Sequence, residues 1–145
     1  MTFVETWKIA GEYRRGKVDK HDVIKTIFGG EVRKEKFKKA LQQQKDKGNN
    51  IIILTNNEST TAEDCLKAAE LDELIGGIYG NGDWSRSKGH ALEKIRGSID
   101  SENIILFDDD LDNCTSVIKK GMKCYHVKGE DGMQTKSDFE ALANF

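Results

Sequence analysis

The sequence predicts an α/β fold with a mainly parallel sheet and helices on both of its faces. Three observations carry that expectation. Short β-branched runs alternate along the chain with amphipathic segments of helical length. The runs are apolar at consecutive positions, as in strands covered on both faces. The chain has no internal repeat, low-complexity tract or linker, and its 145 residues suit one domain, 1–145, around one core. Strand and helix in alternation imply right-handed crossovers between parallel strands.

In chain order, residues 10–28 have room for a small flap. Residues 31–47 predict a helix, with Val32, Phe37, Ala40, Leu41 and Gln44 near one stripe and Gly48 as its stop. Its lysines (Lys34, Lys36, Lys38, Lys39, Lys45 and Lys47) are interleaved with Glu31, Glu35 and Asp46, which predicts a solvated outer face. The run "NNIIILTNN" predicts a buried strand, followed by a helix over 60–72. "LIGGIYG", from Leu74 to Gly80, predicts a weaker, glycine-diluted strand, followed by a helix over 87–96. "NIILFDD" predicts a third strand, 111–120 a helix, and "KCYHV", from Lys123 to Val127, a short fourth strand. Ser137 with Glu140 three places on signals the cap of a last helix ending near Phe145.

Composition narrows the function. The chain is 37% hydrophobic and 33% charged with a net charge of -2, the balance of a folded, soluble chain. Such a charge sets up no field that gathers nucleic acid. No window approaches the roughly 18 apolar residues of a membrane span, and "MTFVETWKIA" lacks the pattern of a signal peptide. A cytoplasmic protein is predicted. Cys65, Cys114 and Cys124 form no CxxC pair and read as reduced, partly buried thiols. His21, His90 and His126 are scattered, which argues against zinc. Proline is absent, so the turns rely on Gly, Asn and Asp.

Ligands of open parallel sheets bind outside the carboxyl ends of the strands. After "IIIL" come Thr55, Asn56 and Asn57. "SRSKGHALEKI" opens a helix with Lys88 and Gly89, and "IILF" runs into Asp108, Asp109 and Asp110, with Asn113 further on. A hydroxyl, an ammonium and a carboxylate cluster are expected to converge on one rim. Thr and backbone N–H groups hold phosphoryl oxygens, lysine neutralises their charge, and paired carboxylates suit a hard cation such as magnesium. Gathering several carboxylates is costly without a cation between them.

These residues resemble the haloacid dehalogenase-like (HAD) superfamily of phosphatases and phosphotransferases. The likeness covers roughly residues 29–130. "IIILTNN" with Thr55 is similar to its second motif, "SKGHALEKI" with Lys88 to its third, and "LFDDDLDNCTSVIKKGMKCYHV" to its fourth, including Asn113, Gly121 and Met122. The order Thr, Lys, acidic pair separates it from response-regulator receivers, which present the acidic pair first. The resemblance implies a three-layer α/β/α Rossmann-like domain. It also implies phosphate binding by Thr55, Asn56 and Lys88, and Mg2+ held by Asp108 and Asp109. With only 32 residues between Thr55 and Lys88, no separate cap is expected. Capless members act on macromolecular phosphates or borrow a cap, so a phosphorylated protein or other large partner is implied.

The family's first motif, DxD, is missing before Thr55. "MTFVETW" puts Glu5 in the nucleophile's place and Trp7 in that of the acid/base. Glutamate is one methylene longer than aspartate, and an indole transfers no proton, so normal turnover is not expected. Either the domain is a degenerate relative or its first strand lies upstream of residue 1. Residues 2–9 are expected to fill the central strand's slot. Beside the phosphatase reading stand a catalytically inactive HAD-like binding or scaffolding domain and a purely structural α/β module.

Overall fold

The computed structural model describes residues 3–129, 133 and 135–145. The fold is mixed α/β. Among the described residues there are seven α-helices, two single-turn 3-10 segments and four short strands. The strands form two parallel pairs, and the chain divides into two compact units, Met1–Asp83 with Leu142–Phe145, and Trp84–Ala141.

The first unit opens with α1 (Phe3–Arg14), α2 (Lys20–Phe28) and α3 (Glu31–Asp46). Of the strand expected over residues 2–9, residue 2 lies outside the described residues and the rest is not a strand, because residues 3–14 are helical. The reason lies in the spacing of Ile9, Ala10 and Tyr13. At helical period they share a face, which packs with Val23, Cys65 and Ala68. Glu5 sits on α1, and its side chain lies outside the described part of the structure. The flap expected over residues 10–28 is instead the rest of α1 and α2. Helix α2 begins at a reciprocal box, in which the Asp22 N–H donates to Asp19 Oδ1 and the Asp19 N–H to Asp22 Oδ2, both at 3.0 Å. It ends at Gly29, whose φ of 73° is the left-handed conformation that stops a helix.

Helix α3 matches its expected span, but its inner face differs. Val32 is 74% exposed, whereas Ala40 and Gln44 are buried. Lys34, expected in the solvated face, is only 6% exposed. Its ammonium holds Glu35 at 2.6 Å and Glu31 at 3.2 Å, so the stem is covered while two surface carboxylates balance the charge. Gln44 Nε2 donates to the carbonyls of Leu142, Ala143 and Phe145 and satisfies acceptors that the end of a helix leaves open.

Strand β1 (Ile52–Leu54) pairs in parallel with β2 (Gly77–Tyr79), in the register Ile52 to Gly77 and Leu54 to Tyr79. Between them run α4 (Ser59–Ala68) and a 3-10 turn, Asp72–Leu74. The unit's core is mainly helical. Ile24, Leu66, Ala69, Leu71 and Leu74 are buried together, with Phe28, Leu41, Ile53 and Ile78 packed on them. The three residues of β1 are only half-buried, although their apolar run predicted burial on both faces.

The second unit contains α5 (Lys88–Ile95), a 3-10 turn (Ser101–Asn103), β3 (Ile105–Asp108), α6 (Leu111–Lys119) and β4 (Lys123–His126). Strands β3 and β4 pair in parallel from Ile105 with Lys123 to Asp108 with His126, and α6 packs on both. The first part of α7 (Lys136–Asn144) belongs here too. Its cap is Thr135 rather than the expected Ser137. The Thr135 N–H donates to Asp138 Oδ2 and the Asp138 N–H to Thr135 Oγ1, both at 3.1 Å. Asp138 also accepts from the Tyr125 hydroxyl at 2.8 Å, which raises the Tyr125 pKa by favouring the protonated phenol.

The expectation of three reduced thiols is corrected. Cys114 on α6 and Cys124 on β4 are joined by a disulfide, and Cys65 alone is a free, buried cysteine. Crossing α6 over β4 brings the two Cα atoms to 5.3 Å, within the usual disulfide range.

Leu71 is among the largest fully buried side chains. Leu71→Ala is expected to lower the unfolding free energy by about 3 kcal/mol in chemical denaturation. A loss well under 1 kcal/mol would contradict a packed site at Leu71.

Candidate functional site

The carboxyl end of β3 carries the most developed polar arrangement. Asp108 is the last residue of the strand and is 7% exposed, although it is an aspartate. Burying a carboxylate without partners is strongly unfavourable. Here both oxygens are engaged. Oδ2 accepts from Lys88 Nζ at 2.6 Å, and Oδ1 from the Asp110 N–H at 2.8 Å. Asn113 Nδ2 reaches both oxygens, at 3.2 and 3.3 Å. Burial alone would raise the Asp108 pKa. The Lys88 hydrogen bond, the Asp110 amide, the Lys88 charge and Asn113 outweigh it, so the net shift is downward and the group stays ionised.

Lys88 reaches this carboxylate because α5 and α6 approach very closely. Ser87 caps α5, its Oγ accepting from the His90 N–H at 3.1 Å. The next residues are Lys88 and then Gly89, whose N–H donates to Ser116 Oγ at 3.0 Å. That hydroxyl in turn donates to the Asn113 carbonyl at 2.8 Å. A Cβ on Gly89 would lie 2.3 Å from the Ser116 carbonyl oxygen, so only glycine fits this crossing.

The other aspartates of the run do different work. Asp109 is exposed, and its carbonyl accepts from His126 Nε2 at 3.0 Å, which requires the tautomer protonated there. Asp110 caps α6 by accepting from the Asp112 N–H at 2.8 Å. The acidic stretch therefore combines one buried ion-paired carboxylate, one exposed carboxylate and one helix cap.

In the first unit, Thr55 follows β1 directly and extends its pairing, with its N–H donating to the Tyr79 carbonyl at 3.0 Å. Thr55 Oγ1 accepts from the Asn57 N–H at 3.1 Å, which bends the chain toward α4. Asn56 is exposed. Asn57 Oδ1 is buried and has no hydrogen-bond partner among the described residues. Gly80, after β2, lies against the same turn, where a Cβ would come within 2.3 Å of the Ser59 nitrogen.

Of the residues singled out in the sequence, Lys88 and Asp108 are in direct contact and Asp109 follows them in the same turn. Thr55 and Asn56 belong to the first unit. Asn113, which follows the acidic run in the sequence, grips Asp108 through its side-chain amide from the first turn of α6. The orphaned Asn57 oxygen had no sequence signal. No protein-family model matches the chain, and no curated protein is significantly similar to it.

Among the described residues, no group of three or more His, Cys, Asp or Glu stands together as a metal site. Magnesium asks for less, since one or two carboxylates suffice when water and phosphate oxygens supply the remaining ligands. Carboxylates are hard oxygen donors of that kind, and Asp108 and Asp109 stand in consecutive positions, one buried and one exposed.

Lys88→Met is expected to leave the buried carboxylate without a countercharge, lowering stability by about 3 kcal/mol and raising the Asp108 pKa. Carboxyl titration by NMR reads the second effect, and an unchanged Asp108 would refute the pairing. Because the folded pKa is depressed, Asp108 contributes stability above its unfolded pKa of about 3.9. That contribution is lost as pH falls through the lower, folded value. Acid unfolding of Lys88→Met should lack this part of the pH dependence.

Proposed function

We propose that the chain is a haloacid dehalogenase-like domain of phosphatase type that binds a phosphoryl group and magnesium at its strand ends. The single observation that carries the reading is the Lys88–Asp108 pair at the end of β3, with Asp109 open beside it. A buried carboxylate held charged by a lysine, next to an exposed second carboxylate, is the charge arrangement that phosphoryl transfer uses.

In this reading Lys88 orients Asp108 and offsets its charge, Asn113 and the Asp110 amide keep the carboxylate in place, and Asp109 supplies the accessible oxygens. Phosphate binding by Thr55 and Asn56, which lie in the first unit, rests on their resemblance to the family's second motif. Bound magnesium would neutralise phosphoryl charge. The ligand is a phosphorylated protein or other macromolecule, in keeping with the short interval of 32 residues between Thr55 and Lys88. The finer architecture, a three-layer Rossmann-like domain, is part of the same proposal.

A second reading, an inactive binding or scaffolding domain on that fold, is favoured by one observation. The segment aligned with the nucleophile motif is helical and carries Glu5 on α1 rather than at a strand end. Covalent phosphoryl transfer depends on in-line placement of the nucleophile, and a helix does not deliver it from that position.

Hydrolysis of p-nitrophenyl phosphate together with calorimetry against magnesium and inorganic phosphate separates the readings. Turnover that needs magnesium and falls at least about 100-fold in Asp109→Asn is the outcome for the phosphatase. Heat of binding without turnover is the outcome for the scaffold. Neither heat nor turnover, with the fold intact by circular dichroism, overturns both.

A further inference from the structure

The turn that follows β3 is held from two sides. From α6, Asn113 grips the Asp108 carboxylate; from β4, His126 meets the Asp109 carbonyl. The next residue on α6 is Cys114, and two residues before His126 on β4 is Cys124. The disulfide therefore joins the two elements that support the aspartates, next to the residues that touch them. Cys114 is 3% exposed, with its sulfur 4.0 Å from the Asp108 carbonyl oxygen. Cys124 is half-buried.

We propose that Cys114 and Cys124 are a reversible thiol–disulfide couple that sets how firmly α6 and β4 hold the Asp108–Asp109 turn. The chemistry is exchange with a low-molecular-weight thiol such as glutathione. A thiolate attacks the sulfur of Cys124, the more accessible of the two, and forms a mixed disulfide there. The Cys114–Cys124 bond breaks, and Cys114 leaves as a thiolate that takes up a proton. A second thiolate attacks the mixed disulfide on its small-molecule sulfur, Cys124 leaves and is protonated, and a low-molecular-weight disulfide is released. Two small thiols are oxidised and two protein sulfurs reduced, so two electrons and two protons balance. Oxidation by the small disulfide is the reverse.

The bond closes a short loop between α6 and β4, with the cysteines 10 residues apart in sequence. Such a link removes freedom from any state in which the helix lifts off the strand. With it broken, that constraint is gone and α6 opens from β4 more often. Cys65 provides an internal control. It lies in the other unit, and burial pushes its thiol up to about 11, so it stays protonated and slow to exchange at neutral pH.

The effect on ligand binding rests on the phosphoryl-site reading above; the couple itself does not. The test equilibrates the full chain in reduced or oxidised glutathione, then unfolds and alkylates it with N-ethylmaleimide. Of the three cysteines, one is expected to be alkylated in the oxidised sample and all three in the reduced one. Peptide mapping should join Cys114 to Cys124. Hydrogen exchange at α6 amides around Asn113 is expected to be about tenfold faster in the reduced protein. Cys124→Ser should exchange like the reduced protein in both mixtures, and Cys65→Ser should respond like the wild type.

A disulfide involving Cys65, no disulfide in either mixture, equal exchange in both states, or a Cys124→Ser chain that still responds would each overturn the proposal. Calorimetry with magnesium in both states adds an independent arm. Tighter binding when oxidised supports the link to the site. No magnesium binding in either state counts against the phosphoryl-site reading, while the exchange rates still decide the couple.

Discussion

Keeping one buried carboxylate charged is the constraint around which the second unit is arranged. Asp108 lies at the end of a strand, under a helix, where water supplies little of its solvation. Its stability depends on groups drawn from three places in the chain: the ammonium at the start of α5, the backbone of the turn after β3, and an amide on the first turns of α6. Each must arrive within hydrogen-bond reach together, since a buried ion with a missing partner costs more than the pair contributes. That requirement explains features with no chemistry of their own, such as Ser116 bridging to Gly89 and the tight crossing of α5 over α6.

The first unit is organised differently. Its stability comes from helices that bury small and branched apolar residues against one another, with Ala10, Ala68 and Ala69 allowing close approach. Strands of three residues contribute less than those helices do. Ile52, Ile53 and Leu54 are half-buried in a sheet that, among the described residues, is two strands wide. Among the described residues of this unit, charge is handled at the surface except at Lys34, whose long stem is covered while its ammonium meets two exposed glutamates.

Where local rules decide the structure, the sequence was readable. The four strands lie within their apolar runs, and the helices after them begin near Ser59, Lys88 and Leu111 as capping and periodicity imply. The Lys88–Asp108 pair was legible as a convergence of opposite charges. What escaped was set by distant partners. The segment with Phe3, Val4 and Glu5 resembles a strand until a helical face formed by Ile9, Ala10 and Tyr13 finds Val23 and Ala68. Lys34 reads as surface because nothing in its neighbourhood in the sequence announces a cover. Ser137 carries a capping signal, but Thr135 captures the role through Asp138, which also serves Tyr125. The cysteines lack any metal or redox motif, and only the crossing of α6 and β4 brings two of them together.

Gly80 and Gly89 each occupy a gap between main chains too narrow for a single methyl group. Neither offers a charge, a hydroxyl or a nucleophile, so a tally of chemical groups would pass over both. Yet an added carbon at either would act as a wedge, prising a backbone from its neighbour where a strand gives way to polar residues or a helix begins. Natural variation in this chain should therefore be freest on the flanks of its helices and most restricted at these two empty spaces.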